Sequence, residues 1–185
     1  MCVCHWSTCH VDQPCARARV SPGVCRRCTP PSPRARQKSS ARLNAGAATP
    51  RARASTFAAA TGITLNNANN FSSVNASSTN GAIFLNDTGD LVLAGVSANT
   101  SLASISAAGA VTQTGAITAG SLELTGTGSF TLNNSGNNVA DLASNTTGAL
   151  NYTDSTALTV GNTAGVTTGI TSAGAVTVST LAGAL

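Results

Sequence analysis

The chain has 185 residues, with ten Lys and Arg against six Asp and Glu and a formal net charge of +4. That average joins two unlike segments: every Lys and Arg lies between Arg17 and Arg53, and from Ala54 onward there is no Lys, Arg, His, Cys or Pro. The body therefore lacks the side chains for a catalytic triad, Cys–His chemistry, a Schiff-base lysine or a His-based metal site, and the pI near 9.0 is no sign that it binds nucleic acid.

Residues 1–54 form the head. All six Cys fall between Cys2 and Cys28, and all six Pro between Pro14 and Pro50. Pro30, Pro31 and Pro33 interrupt any regular element, and the arginines repel one another. Neither a secretory leader nor a membrane-spanning run is present. Three readings compete. Cys25 and Cys28 form a C-x-x-C pair with metal-ligand spacing, but the other cysteines lack knuckle spacing. The arginines suit phosphate contacts, but Trp6 is the only aromatic stacking partner there. The third reading is a disordered extension, its Arg, Ala, Pro and Cys arising from a mis-assigned reading frame upstream of Ala54. The expected site list is accordingly short: no catalytic residue, no cofactor, and Cys25 and Cys28 as the only metal candidates.

Residues 55–185 are built almost wholly from Ala, Gly, Ser, Thr, Asn and β-branched or Leu residues. Short alternating runs predict strands, taken in order, at Ile63–Asn66, Ala82–Asn86, Asp90–Ala94, Leu102–Ser106 and Ala110–Gln113. They continue at Ser121–Thr125, Ser129–Asn133, Ala149–Tyr152, Ala157–Val160 and Ala175–Ser179. Side chains alternate faces along a strand, so Leu122 and Leu124 point one way and Glu123 the other. Phe84 and Val92 take the outward positions between inward pairs, either as single exposed residues or as an interaction patch. Asp87 and Asp90 flank Thr88-Gly89 at a predicted turn, with a Ca²⁺ or acid/base role as the sharper reading.

The body repeats itself. Ile63-Thr64-Leu65-Asn66-Asn67 matches Phe130-Thr131-Leu132-Asn133-Asn134, an offset of 67 residues, and Gly109-Ala110-Val111-Thr112 matches Gly174-Ala175-Val176-Thr177. Such a unit divides into about three coils of roughly 22 residues. Like then stacks on like, Leu over Leu and Asn over Asn, with Gly and Asn at the corners. The predicted fold is an all-β, right-handed parallel β-helix (a β-solenoid) of about five or six coils at about 4.8 Å each, preceded by a disordered N-terminal segment.

The stretch GAVTQTGAITAGSLELTGTGSFTLNNSGNNVADLASNTTGALNYTDSTALTVG, residues 109–161, resembles the repeat region of filamentous haemagglutinin-type exoproteins, the secreted partners of two-partner secretion systems in Gram-negative bacteria. The resemblance implies a β-helical stalk at the cell surface or secreted, with adhesion roles and no enzymatic activity. It implies further repeats of the same stalk, host or neighbouring cell surfaces and an outer-membrane transporter as partners, with no nucleic acid. The family's N-terminal secretion domain has no counterpart in the head, and no binding or catalytic residue is carried over. The expectation is a structural fragment of such an adhesin. The alternatives are a β-helical carbohydrate-binding or carbohydrate-active module, and a zinc- or nucleic-acid-binding protein acting through residues 1–54.

Overall fold

The computed structural model describes residues 53–163 and 167–185. Cys25 and Cys28, and every reading of the head before Arg53, lie outside them. Fourteen strands are formed: β1 Arg53–Ala59, β2 Ile63–Asn69, β3 Phe71–Ser78, β4 Ile83–Asp87, β5 Leu91–Ser97, β6 Leu102–Ala107 and β7 Val111–Gln113. They continue with β8 Ile117–Gly126, β9 Phe130–Leu132, β10 Asn138–Thr146, β11 Leu150–Asp154, β12 Thr159–Val160, β13 Ile170–Ser172 and β14 Val176–Thr180. The described residues contain no helix, and β1 starts two residues before the boundary read from composition.

Every strand pairing is parallel, and each strand lies beside one from the next coil. Parallel neighbours need a connection that returns the chain to its starting edge. Here the returning chain is itself made of strands, so the product is a β-solenoid of about five turns. Its cross-section has three sides. The first stacks β2, β4, β6 and the later halves of β8 and β10; Ile63 lies beside Ile83, Ile83 beside Ala103, Ala103 beside Leu122, and Leu122 beside Leu142. The second runs through Leu91, Val111, Phe130, Leu150 and Val176. The third carries Phe57, Ala76, Val96, Ile117 and the opening of β10.

The core is the sum of these three inward columns. Leu93, Ile105, Leu124, Leu132 and Leu142 have no exposed surface. Alternation produces this directly: in β4 and β11 every second residue is buried and those between are half-exposed. Burying one such Leu contributes roughly 2 kcal/mol, so a five-residue strand with two inward side chains is held by its place in the stack rather than by its own propensity.

The coil register corrects one expectation. Like stacks on like at spacings of 19 or 20 residues, as in Ala103 beside Leu122 and Ile83 beside Ala103, shorter than the coil read from the sequence. The 67-residue offset joins residues on different sides: Ile63 is on the first and Phe130 on the second. Three coils bring the chain from Ile63 to Leu122 on the first side, and one further side brings it to Phe130. The repeat unit is therefore three coils and a third.

The last coil is longer. Leu150 lies beside Val176 and Ser144 beside Ile170, each 26 residues on. The extra length leaves the sheet after Gly161 and returns at Gly169, its arms joined by an antiparallel bridge between Asn162 and Thr168. Gly161 N donates to Leu142 O, and Gly169 O accepts from Ser144 N. This excursion lies against the outside of the first side, where Ala143 and Glu123 are buried. Alternation alone had Glu123 facing solvent.

Candidate functional site: buried Asn and Asp corners

The polar side chains that the fold removes from water gather where one side bends into the next. At the first such corner β2 ends on Asn69, which is 6% exposed. Its Nδ2 faces the carbonyl oxygens of Leu65 at 2.9 Å, Asn67 at 2.8 Å and Asn86 at 3.0 Å. The next coil supplies Asp87. One carboxylate oxygen accepts from Phe71 N at 2.8 Å, the other from Gly89 N at 3.0 Å. Thr88 closes the corner by donating N–H and hydroxyl to Asn69 O. A bend breaks the inter-coil ladder, and these side chains satisfy backbone groups that would otherwise be buried without partners.

The same construction recurs one repeat later. Asn137 is fully buried, and its Nδ2 faces Leu132 O at 3.1 Å and Thr153 O at 2.9 Å. Asp154, also fully buried, accepts from Val139 N at 3.0 Å and from Thr156 N at 2.9 Å. Ser155 donates N–H and hydroxyl to Asn137 O, as Thr88 does to Asn69 O. Leu65, Asn69, Phe71, Asn86, Asp87 and Thr88 thus correspond to Leu132, Asn137, Val139, Thr153, Asp154 and Ser155, at offsets of 67 or 68 residues. The first clamp joins the first and second sides; the second joins the second and third.

The second clamp is more elaborate. Gln113 pairs amide to amide with Asn137, Nε2 donating to Oδ1 at 2.9 Å and Oε1 accepting from Nδ2 at 3.1 Å. Asn137 Oδ1 also accepts from Ile117 N at 2.9 Å. Tyr152 donates its hydroxyl to Asp154 at 2.7 Å. Burial first, then the hydrogen bond to Asp154 and its charge, push the Tyr152 phenol far above its ordinary range. Burial also raises the Asp87 carboxyl, against the lowering effect of the two backbone N–H groups it accepts.

The carboxylates do not converge on a common point. Asp87 and Asp154 serve separate corners, and exposed Asp90 accepts from Ala110 N at 2.8 Å. Glu123 accepts from Ser104 Oγ at 2.8 Å and from Thr167 N, in the excursion, at 3.0 Å. Among the described residues no three His, Cys, Asp or Glu lie close enough to hold a metal ion. Asp87 and Asp90 do flank a bend, as the sequence reading had them. Phe84 and Val92 are both half-exposed, on the first and second sides respectively, so they do not share one face. At the C-terminal end a concavity is lined by Ala140, Ala157, Leu158, Val160 and Leu185, with Thr159 as its sole polar side chain.

Two features escaped the sequence reading. Asn69 and Asn137 look like the solvent-facing turn residues beside them; only their recurrence with Asp87 and Asp154 sets them apart. The corner before the second side is a stack of glycines. A Cβ on Gly109 would lie 2.3 Å from Gly89 O, one on Gly128 2.0 Å from Gly109 O, and one on Gly148 2.3 Å from Gly128 O. The coils approach there as closely as backbone permits.

Comparison with known proteins agrees with the internal period. A family model described as repeats of unknown function (DUF5649) matches residues 80–146, a stretch as long as the 67-residue offset. No curated protein and no solved structure matches the chain. The chain is a β-solenoid carrying a repeat of unknown function. Among the described residues no helix is long and apolar enough to cross a membrane.

Proposed function

We propose that the chain is a structural stalk segment of a secreted or surface-exposed bacterial adhesin-type exoprotein, acting by length to hold binding regions away from the cell. The observation that carries this reading is the duplicated corner clamp. Buried Asn69, Asp87, Asn137 and Asp154 are spent on backbone groups at the bends, and the device recurs with the repeat. A site for chemistry keeps polar groups pointed at a ligand; here they hold the scaffold. The resemblance of residues 109–161 to haemagglutinin-type repeats supplies the cellular setting, with an outer-membrane transporter and further repeats as partners. The non-enzymatic reading is supported by the dispersal of the carboxylates along the solenoid.

Length is the property to measure. Inserting one further copy of residues 63–129 before Phe130 extends a solenoid of three and a third coils by about 16 Å at about 4.8 Å per coil. Small-angle scattering should report that increase at constant cross-section; a thicker particle of unchanged length would overturn the stalk geometry. Location is tested separately. Antibodies to residues 53–185 should label intact cells of the source bacterium, and labelling only after lysis would overturn the surface assignment.

A further inference from the structure

The last strand of the solenoid is built like an earlier one that has a partner. β14 lies against β11 on one edge, and among the described residues its other edge is unpaired. Val176 occupies an inward core position beside Leu150, yet it is 44% exposed whereas Leu150 is 1% exposed. Its sequence, Gly174-Ala175-Val176-Thr177, repeats Gly109-Ala110-Val111-Thr112 on the same side of the solenoid. In that earlier coil the neighbour is present. Val111 lies beside Phe130, the first residue of Phe-Thr-Leu-Asn-Asn, and Val111 N donates to Ser129 O at 2.8 Å. Val111 is consequently fully buried.

The other copy of that covering strand is Ile63-Thr64-Leu65-Asn66-Asn67, in β2. Ile63 N donates to Ala82 O, so in a parallel ladder the backbone groups of Ile63 and Leu65 serve β4 and those of Thr64 face the opposite edge. Among the described residues that edge, too, has no partner. We infer that the C-terminal face of the solenoid is a docking surface for β2 of a second copy of this chain, which adds to β14 as a parallel strand. The Val176 N–H would donate to the carbonyl of residue 62 in the second copy, and the second copy's Thr64 N–H to the Val176 carbonyl, reproducing the ladder between β7 and β9. Strand addition of this kind draws affinity from main-chain bonds and specificity from the alternate side chains. Neither contributing surface is protected. No charged residue occurs from Ala54 to Asn86 or from Ser155 to Leu185, and no Pro occurs in either stretch, whereas exposed strand edges are ordinarily blunted by such residues. Because β14 is on the second side and β2 on the first, each added copy is turned by one side, as the internal repeat already is. The contact is head-to-tail and does not close on itself.

Sedimentation velocity on the full chain tests this. Wild type should show a mass that rises with concentration beyond the monomer. Val176→Lys places a charge on the exposed C-terminal end and should weaken association at least about tenfold. Thr64→Pro removes the N–H on the free edge of β2 and should do the same. An equimolar mixture of the two variants retains one good end of each kind and should give a dimer and nothing larger. Should Thr64→Pro lose its strand signature in circular dichroism, a peptide of residues 60–72 replaces it: it should dissolve the wild-type assembly and fail to bind Val176→Lys. A wild type that stays monomeric overturns the inference. So does association that survives a folded variant, a mixture that stays monomeric or grows past a dimer, or a peptide without effect on the wild type.

Discussion

Replacing Asn137 by Ala removes one fully buried side chain that satisfies three backbone groups. Leu132 O and Thr153 O lose the amide donor, and Ile117 N loses its acceptor. A buried polar group left without a partner costs roughly 1–3 kcal/mol. Water entering the vacated space recovers part of this, since a site with several polar partners can hold one. The expected loss is therefore about 3–5 kcal/mol, and Gln113 loses its amide partner as well. Asn138, the next residue, is exposed and serves as the control; Asn138→Ala should stay within about 0.5 kcal/mol. Urea unfolding followed by far-ultraviolet circular dichroism reads both as midpoint shifts. A cost for Asn137→Ala no larger than that of Asn138→Ala would refute the view that these corners hold the coils together.

Three further outcomes are expected. Burial raises the Asp87 carboxyl above its value of 3.8, so the folded state binds the proton more tightly than the unfolded chain; the stability this gives is complete below 3.8 and is lost as pH rises through the folded value. The stability of wild type relative to Asp87→Asn should thus fall with rising pH, and a gap that widens instead would contradict the assignment. Gly128→Ala places a methyl group against Gly109 O and should cost about 3 kcal/mol in thermal unfolding, whereas Gly161→Ala, with nothing nearer than 3.6 Å, should be neutral. Ser144 stands at an inward position next to Leu124 and its buried hydroxyl has no partner; Ser144→Ala should raise stability by about 1 kcal/mol, read as a higher urea midpoint.

Most of the fold was legible because the body obeys one rule. Apolar residues at alternate positions marked strands at Ile83–Leu85, Leu91–Leu93 and Leu122–Leu124, and all ten expected segments overlap strands in the structure. The third side was missed. Its inward positions include Ala76 and Ala119, too small to stand out from the surrounding Ser and Thr. In β8 and β10 the third side also runs into the first as one continuous strand, with no turn to separate them. The repeat was legible but its phase was not, because an offset between similar strands carries no information about which side each occupies. The clamps were hidden for a related reason: a buried Asn and an exposed one are spelled alike, and only the hydrogen bonds separate Asn137 from Asn138. Glu123 was placed correctly on its strand, but its cover arrives 44 residues later.

The mismatch between the repeat and the coil has a consequence for what such a stalk shows to its surroundings. Were the unit a whole number of coils, every copy would present a given outward residue along one edge, and the fibre would have a front and a back. A unit that overshoots by one side spreads that residue around the axis instead, returning to the starting direction every third copy, about 48 Å along at about 4.8 Å per coil. A cell, a sugar or an antibody approaching a long array from any direction meets the same chemistry at the same spacing. Duplication of this unit therefore multiplies contacts without regard to orientation, a route to avidity that no single copy needs to encode.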